Sequence, residues 1–208
     1  ALKKAFETQY ADRCMVTINN PLNHPDIPEI IQQSQSDYDE IVKNIPELYR
    51  LSYEVSDSEL PVSLMEGGFT LLLLDVMRKT IVETQPEIII STYPIYAAPL
   101  SALRKSDDLT LPVISTVTDL VTVHHVWFNP GLTKLTVPTE AVRQMALDAG
   151  LQPEQVILTG IPVDPEIHDL KQVHKSELRK ELGWQANLAT VLVVGSPRVT
   201  SLMDILSE

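Results

Sequence analysis

The sequence predicts an α/β chain built on a doubly wound, Rossmann-like parallel sheet. Three observations lead there. Short aliphatic runs (Ile88 to Ile90, Pro112 to Val117, Leu135 to Val137, Val156 to Thr159) alternate with longer segments of three- and four-residue apolar spacing. Ile88-Ile89-Ile90 is apolar at every position, as in a strand covered on both faces. The helical segments stop where the backbone chemistry stops them, at Pro86 and at Gly150.

Taken in order, residues 1–9 carry helical spacing with no capping residue ahead of them, so they read as a helix entered midway, with the true N-terminus upstream. Met15 to Asn19 is predicted as a short strand, followed by a Pro/Asn loop from Asn20 to Pro25. Residues 27–56 are predicted helical from the recurrence of Ile30, Ile31, Ile41, Ile45, Leu48, Tyr49 and Leu51, with Pro46 opening a second helix. After Gly67-Gly68 a long helix is expected to reach about Thr84, with Leu71, Leu74, Met77 and Ile81 on one side. Residues 96–105 suggest another helix. Thr139 is placed to cap a helix that ends at Gly150. Val156 to Thr159 then runs into Gly160-Ile161-Pro162-Val163. Residues 164–174 are polar and read as a linker. Ser176 to Leu182 reads as a helix closed by Gly183, and Thr190 to Val194 as a strand reaching Gly195. These last two elements have the pattern of a second α/β domain beginning.

Composition bounds the function. The 208 residues are 44% hydrophobic and 5% aromatic, enough for one sizeable domain, or one plus a piece of another, with a mainly aliphatic core. The net charge of -12 and the absence of a Lys/Arg run argue against nucleic acid as a partner. The single cysteine, Cys14, sits in an apolar run, so no internal disulfide forms and a buried, inert thiol is expected. The longest apolar stretch, Phe69 to Met77, is broken by Asp75 and too short to span a bilayer. With no signal peptide pattern, the expectation is a cytoplasmic protein, at most peripheral to a membrane. Two readings stand for Phe69 to Ile81: core, or part of a membrane entry surface.

In a doubly wound sheet, ligands bind beyond the carboxyl ends of the strands. That singles out Ser91-Thr92-Tyr93-Pro94, Thr118-Asp119 and Gly160-Ile161-Pro162. The richest stretch comes after Thr118: Asp119, His124, His125 and Trp127 gather within ten residues. Asp119 can accept hydrogen bonds from sugar hydroxyls, or simply cap a turn. His124 can take a proton or anchor a hydroxyl, or be a polar loop residue. Trp127 can stack on a sugar or a glyceride chain, or anchor the core. The five histidines show no metal-ligand spacing, so no metal and no other cofactor is expected. Gly-x-Ser-x-Gly, phosphate-loop and dinucleotide fingerprints are absent. Gly195-Ser196 after an apolar run hints at a phosphate-binding turn.

Thr118-Asp119, His124-x-x-Trp127-x-x-Pro130, Val137, Gly150 and Val156 to Val163 with Pro165 resemble, in order and spacing, the monogalactosyldiacylglycerol synthase and processive diacylglycerol glucosyltransferase family. Pro86 to Pro94 and Ile45 to Tyr49 extend the resemblance upstream, and Leu178 to Gly183 with Val191 to Gly195 extend it downstream. The resemblance implies a GT-B-like protein of two facing Rossmann-like domains. Residues 1–165 would be the acceptor-binding domain, 166–174 the linker, and 175–208 the start of the nucleotide-sugar domain. The implied reaction moves a hexose from a UDP-sugar to a lipid such as diacylglycerol, with inversion and without metal. On this reading Thr92, Tyr93, Asp119, His124 and Trp127 line the acceptor site. Gly195 and Ser196 belong to the donor site. The usual base lies on a glycine-histidine loop that would precede Ala1, leaving His124 and Asp119 as substitutes, and residues 1–208 alone are expected to be inactive. The chain departs from the family pattern at Thr133 (aspartate expected), Leu135 (aromatic expected), Tyr93 (histidine expected) and Ser196-Pro197-Arg198 (glycine-rich expected). Those departures keep open a non-catalytic binding module. A UDP-sugar epimerase of similar build is the third reading.

Overall fold

The sheet forms where the β-branched runs fall. In a computed structural model that describes residues 1–27, 73–106 and 109–193, four parallel strands stand in the order β1 (Ile89–Ser91), β2 (Val113–Thr116), β3 (Lys134–Val137) and β4 (Val156–Leu158). Ile89 pairs with Val113, Ile114 with Lys134, and Leu135 with Val156. Parallel neighbours cannot be joined by a tight hairpin, so the chain must cross a sheet face between them. The described helices are α1 (Leu2–Tyr10), α2 (73–84), α3 (Ala97–Lys105), α4 (Glu140–Asp148), α5 (Pro165–Leu170) and α6 (Lys175–Glu181). α3 joins β1 to β2, and α4 joins β3 to β4. The α/β Rossmann-like expectation therefore stands.

The chain divides into two compact units. The sheet unit comprises the described residues between Asn19 and Ile161. Its core has two parts. In one, Leu73, Val76 and Met77 of α2 meet Leu100 and Leu103 of α3 and Val113 of β2. In the other, Leu135 and Val137 of β3 and Val142 and Ala146 of α4 enclose Val117, Val123 and Trp127. Burying an aliphatic side chain of this size stabilises by roughly 1.5–3 kcal/mol, so these aliphatic contacts carry the unit. The α2 stripe differs from the expected one: Leu73, Val76 and Met77 take its centre, while Leu74 and Ile81 are only partly covered. From residue 73 onward the apolar segment is thus core, and the remainder of Phe69 to Ile81 lies outside the described residues. Gln85, at φ 43°, enters the left-handed region and ends α2 just before Pro86.

Three polar ties brace this unit. Tyr96 is buried, and its hydroxyl donates to Asn20 Oδ1, which also accepts the Leu22 N–H at 3.3 Å. Burial pushes the Tyr96 hydroxyl up to about 12. Thr133 Oγ1 accepts from both the Arg104 guanidinium and, at 3.0 Å, the Val113 N–H. Gly131 lies so close to α3 that an added Cβ would stand 1.7 Å from Ser101 Oγ. Thr139 caps α4 as predicted, its Oγ1 accepting the Val142 N–H at 3.3 Å. Gly150, at φ 94°, comes after that helix where a left-handed residue is needed.

The second unit comprises Ala1–Ile18 and the described residues from Pro162 onward. α1, α5 and α6 bury no residue. Polar contacts organise it instead. Lys4 pairs with Asp164 at 3.0 Å and with Glu166, the N-cap and first-turn residues of α5. Glu166 and Asp164 together hold the Lys4 ammonium pKa above its usual range. After α6, Arg179 lies 5.8 Å from the Trp184 ring and donates to the Gln185 and Leu188 carbonyls.

Several expectations are corrected. Met15 to Asn19 forms no strand; Met15 and Ile18 are 91% and 75% exposed. The described part of Thr190 to Val194 forms none either, with Val191 85% exposed. β-propensity without a pairing partner leaves an extended run unsatisfied, and neither run finds one among the described residues. The stretch read as a linker, 166–174, holds most of α5, because Asp164 caps and Pro165 opens a helix there. Cys14 is half-buried rather than buried, its thiol 3.8 Å from the Phe6 carbonyl. Ile88, half exposed, lies outside β1. The helices expected within 27–56, the segment Ile45 to Tyr49, the Gly67-Gly68 start and everything from Val194 lie outside the described residues.

Candidate functional site

The carboxyl edge of the sheet is assembled from the segments that leave β1, β2 and β3. After β1, Ser91 Oγ donates to the Tyr93 carbonyl at 3.0 Å, which turns the chain sharply. Thr92 and Tyr93 are left exposed, and a 3-10 turn (Pro94–Tyr96) leads into α3. Tyr93 packs edge-on against Tyr96, with ring centroids 5.6 Å apart. Ser91 and Pro94 fix the turn, so Tyr93 is presented at the surface rather than folded into the core.

After β2 the chain makes a long excursion. Val117 is fully buried, Thr118 to Thr122 are exposed, and Val123 is buried again. A 3-10 turn, His125–Trp127, comes next. His124 is its N-cap: Nδ1 accepts the Val126 N–H at 3.2 Å. A ring nitrogen that accepts carries no proton, so the neutral ring holds its proton on Nε2 and is a donor there. Trp127 is 2% exposed, and its Nε1–H donates to Asp119 Oδ2 at 2.8 Å. An ionised carboxylate has about four acceptor positions, so one indole donor leaves Asp119 capacity for a ligand hydroxyl. The loop is pinned again from β3's side, where Thr139 Oγ1 donates to the Leu120 carbonyl at 3.2 Å.

The sequence-predicted residues are therefore partly brought together. Asp119, His124 and Trp127 share one loop, with Asp119 and Trp127 in direct contact. The Pro94–Tyr96 turn lies against the His125–Trp127 turn, which draws Tyr93 toward that group. Trp127 is corrected: with its indole buried between β3, α4 and the loop, it anchors the core and offers no open face for stacking. Asp119 is neither a free carboxylate nor a simple turn cap; it is the partner that satisfies the buried indole N–H. His125 is exposed and packs edge-on against Phe128 at 6.1 Å. Gly195 and Ser196 lie outside the described residues.

Two contributors escape sequence reasoning. Thr139 reads from the sequence only as a helix cap, yet it also holds the Leu120 carbonyl. Leu120 and Val121 carry no chemistry of their own, although both stand exposed at the loop tip. An aliphatic pair between polar residues is the signal that could have found them. Two of the departures from the family pattern lie away from this edge. Thr133 braces Arg104 and β2, and Leu135 is buried in β3. Among the described residues no group of three His, Cys, Asp or Glu is placed to hold a metal ion. No described helix is long and apolar enough to cross a membrane.

Sequence comparison bears on this edge directly. The Monogalactosyldiacylglycerol (MGDG) synthase family model matches residues 1–163. A probable chloroplastic monogalactosyldiacylglycerol synthase of Nicotiana tabacum is 34% identical over 198 residues, covering 94% of this chain and 36% of the relative. The chloroplastic monogalactosyldiacylglycerol synthase of Spinacia oleracea is also 34% identical, covering 94% and 37%. A probable chloroplastic counterpart from Glycine max is 35% identical over 201 residues, again covering 94% and 37%. The chain thus spans a little over a third of the length of these relatives. Their names overturn the expected cytoplasmic location, since each is named chloroplastic.

Proposed function

Since the chain belongs to the monogalactosyldiacylglycerol synthase family, we propose that it is the acceptor-binding part of a transferase that moves a galactosyl unit from a UDP-activated donor to diacylglycerol, with inversion. The observation that supports this most strongly is the family match across residues 1–163, which takes in the whole carboxyl edge from Thr92 to Gly160. In such a transfer the acceptor hydroxyl oxygen attacks the anomeric carbon, its proton passes to a base, and the nucleoside diphosphate departs.

The residues of the edge take distinct parts. Asp119, oriented by the Trp127 indole at 2.8 Å, accepts a hydrogen bond from a glycerol or sugar hydroxyl. His124, with Nδ1 engaged by the Val126 N–H, donates from Nε2 to an acceptor oxygen. That polarity suits it to anchoring and unsuits it to the base. Thr92 and Tyr93 flank the same edge. Trp127 contributes by positioning Asp119, and this replaces its expected role as a stacking platform. Gly195 and Ser196 fall to the donor side, in the second domain that begins near residue 175.

The binding-module alternative rests on Thr133, Leu135 and Tyr93. The first two are bracing and core positions, so among the described residues Tyr93 is the departure that still favours it. The test is transfer by the complete protein from labelled UDP-galactose to diacylglycerol in vesicles. Labelled galactosyldiacylglycerol is the expected product. Failure to bind a UDP-sugar by calorimetry, together with failure to label any lipid, rejects the reading.

A further inference from the structure

The phenylalanine, tyrosine and tryptophan rings of the segments leaving β1 and β2 are Tyr93, Tyr96, Trp127 and Phe128. Tyr96, Trp127 and Phe128 are buried, whereas Tyr93 is 47% exposed. Tyr93 is therefore the ring of this group that a ligand at the carboxyl edge can reach. Side-chain entropy ordinarily spreads an exposed tyrosine over several orientations. This one has a fixed support. Its ring meets that of Tyr96 edge-on at 66°, the arrangement that ring quadrupoles favour. Tyr96 is itself fixed twice. It shares a core cluster with Leu22, Ile27 and Leu100, and its hydroxyl donates to Oδ1 of Asn20, 76 residues away in sequence. Asn20 is held by its own turn, since the same Oδ1 accepts the N–H of the buried Leu22. The support of the exposed ring thus runs from Leu22 through Asn20 and Tyr96 to Tyr93, all within the sheet unit.

We propose that Asn20 is a positioning residue of the acceptor site: through Tyr96 it holds the Tyr93 ring in place to pack against the glycerol backbone of the acceptor. The proposal rests on the reading of this edge as the site of diacylglycerol. A phenol suits a glycerol backbone, since its face takes the carbons and its hydroxyl reaches an ester or hydroxyl oxygen. The Pro94–Tyr96 turn lies against the His125–Trp127 turn, so Tyr93 borders the loop that carries Asp119 and His124. Removing the Asn20 acceptor leaves a buried phenol hydroxyl without that partner, and such a group shifts to find another. The ring that Tyr93 leans on shifts with it. The cost reaches the acceptor as looser binding and leaves the chemical step alone.

The test is steady-state transfer by the complete protein from UDP-galactose to diacylglycerol in mixed detergent micelles. Asn20→Ala removes the acceptor oxygen, Tyr96→Phe removes the hydroxyl and keeps the ring, and Tyr93→Ala removes the contact itself. Asn20→Asp keeps a side-chain oxygen for both donors. Leu151→Ala, at a buried position before β4, controls for lost stability alone. KM for diacylglycerol is expected to rise about tenfold in Tyr93→Ala and about threefold in Asn20→Ala and in Tyr96→Phe, with kcat and KM for UDP-galactose unchanged. Asn20→Asp and Leu151→Ala should keep the wild-type KM. In the Tyr93→Ala background, Asn20→Ala should raise KM no further, because residues that act through one contact are not additive. Unchanged KM in Asn20→Ala and Tyr96→Phe overturns the proposal. So does a further rise in the Tyr93→Ala background, or an equal rise in Leu151→Ala, since either makes the effect a general loss of structure. Should Asn20→Ala lose its fold, Tyr96→Phe alone and in the Tyr93→Ala background decides by the same criteria. If wild type transfers nothing to diacylglycerol, the acceptor reading fails and takes the proposal with it; wild-type transfer with unchanged KM in the variants overturns the proposal alone.

Discussion

The two units of the chain are held by different physics. In the sheet unit every described helix buries a face: α2 through Leu73 and Val76, α3 through Leu100 and Leu103, α4 through Val142 and Ala146. In the other unit α1, α5 and α6 bury nothing, and the visible ties are ion pairs and carbonyl contacts around Lys4 and Arg179. Apolar burial is short-ranged and insensitive to salt, whereas exposed ion pairs are screened and contribute little. The described part of the candidate site sits entirely in the first regime. Among the described site residues, the side-chain hydrogen bond from Trp127 to Asp119 begins in the core and ends at the surface. A precise edge therefore comes from a packed core.

This contrast can be broken most severely at Trp127. Trp127→Ala should cost about 3–5 kcal/mol, read as a lowered urea midpoint, because it empties the centre of the β3 and α4 core. Trp127→Phe keeps most of the volume and removes only the indole donor. Its cost should be about 1 kcal/mol, with Asp119 re-solvated and less well oriented. Equal costs for the two substitutions would mean that the hydrogen bond, not the packing, holds the loop. At the other end of the scale, Lys4→Ala should leave the thermal midpoint unmoved at about 0.5 M salt, where exposed charges are screened. Its pairing with Asp164 and Glu166 is solvent-exposed on all three partners. A large salt-independent loss would mean that the second unit has a packed core after all.

Much of the sheet unit is legible in the sequence, and particular residues say why. β2, β3 and β4 fall on β-branched runs whose neighbours supply pairing, and Thr139 and Gly150 mark α4 by local chemistry that needs no tertiary context. Met15 to Asn19 and Thr190 to Val193 have the same composition and form no strand, because a strand is a pairing and pairing is non-local. The site is legible as a neighbourhood but not as roles. Trp127 could serve as platform or anchor, since its indole suits both; burial decides for anchor, and Asp119 becomes its partner as a result. Thr133 and Leu135 look like losses from a binding site, yet their positions are internal, and only the fold could show that. Leu120 and Val121 show in the sequence as an aliphatic pair between polar residues, and the fold adds that both are exposed.

The claim that the edge beyond β2 binds the acceptor, without supplying the base, is tested most directly by steady-state transfer with His124→Ala in the complete protein. The account predicts that KM for diacylglycerol rises about tenfold, while KM for the UDP-sugar and kcat stay within a factor of about three, as expected for loss of one anchoring hydrogen bond. A fall in kcat of roughly 100-fold or more at unchanged KM, the signature of a lost general base, would contradict it.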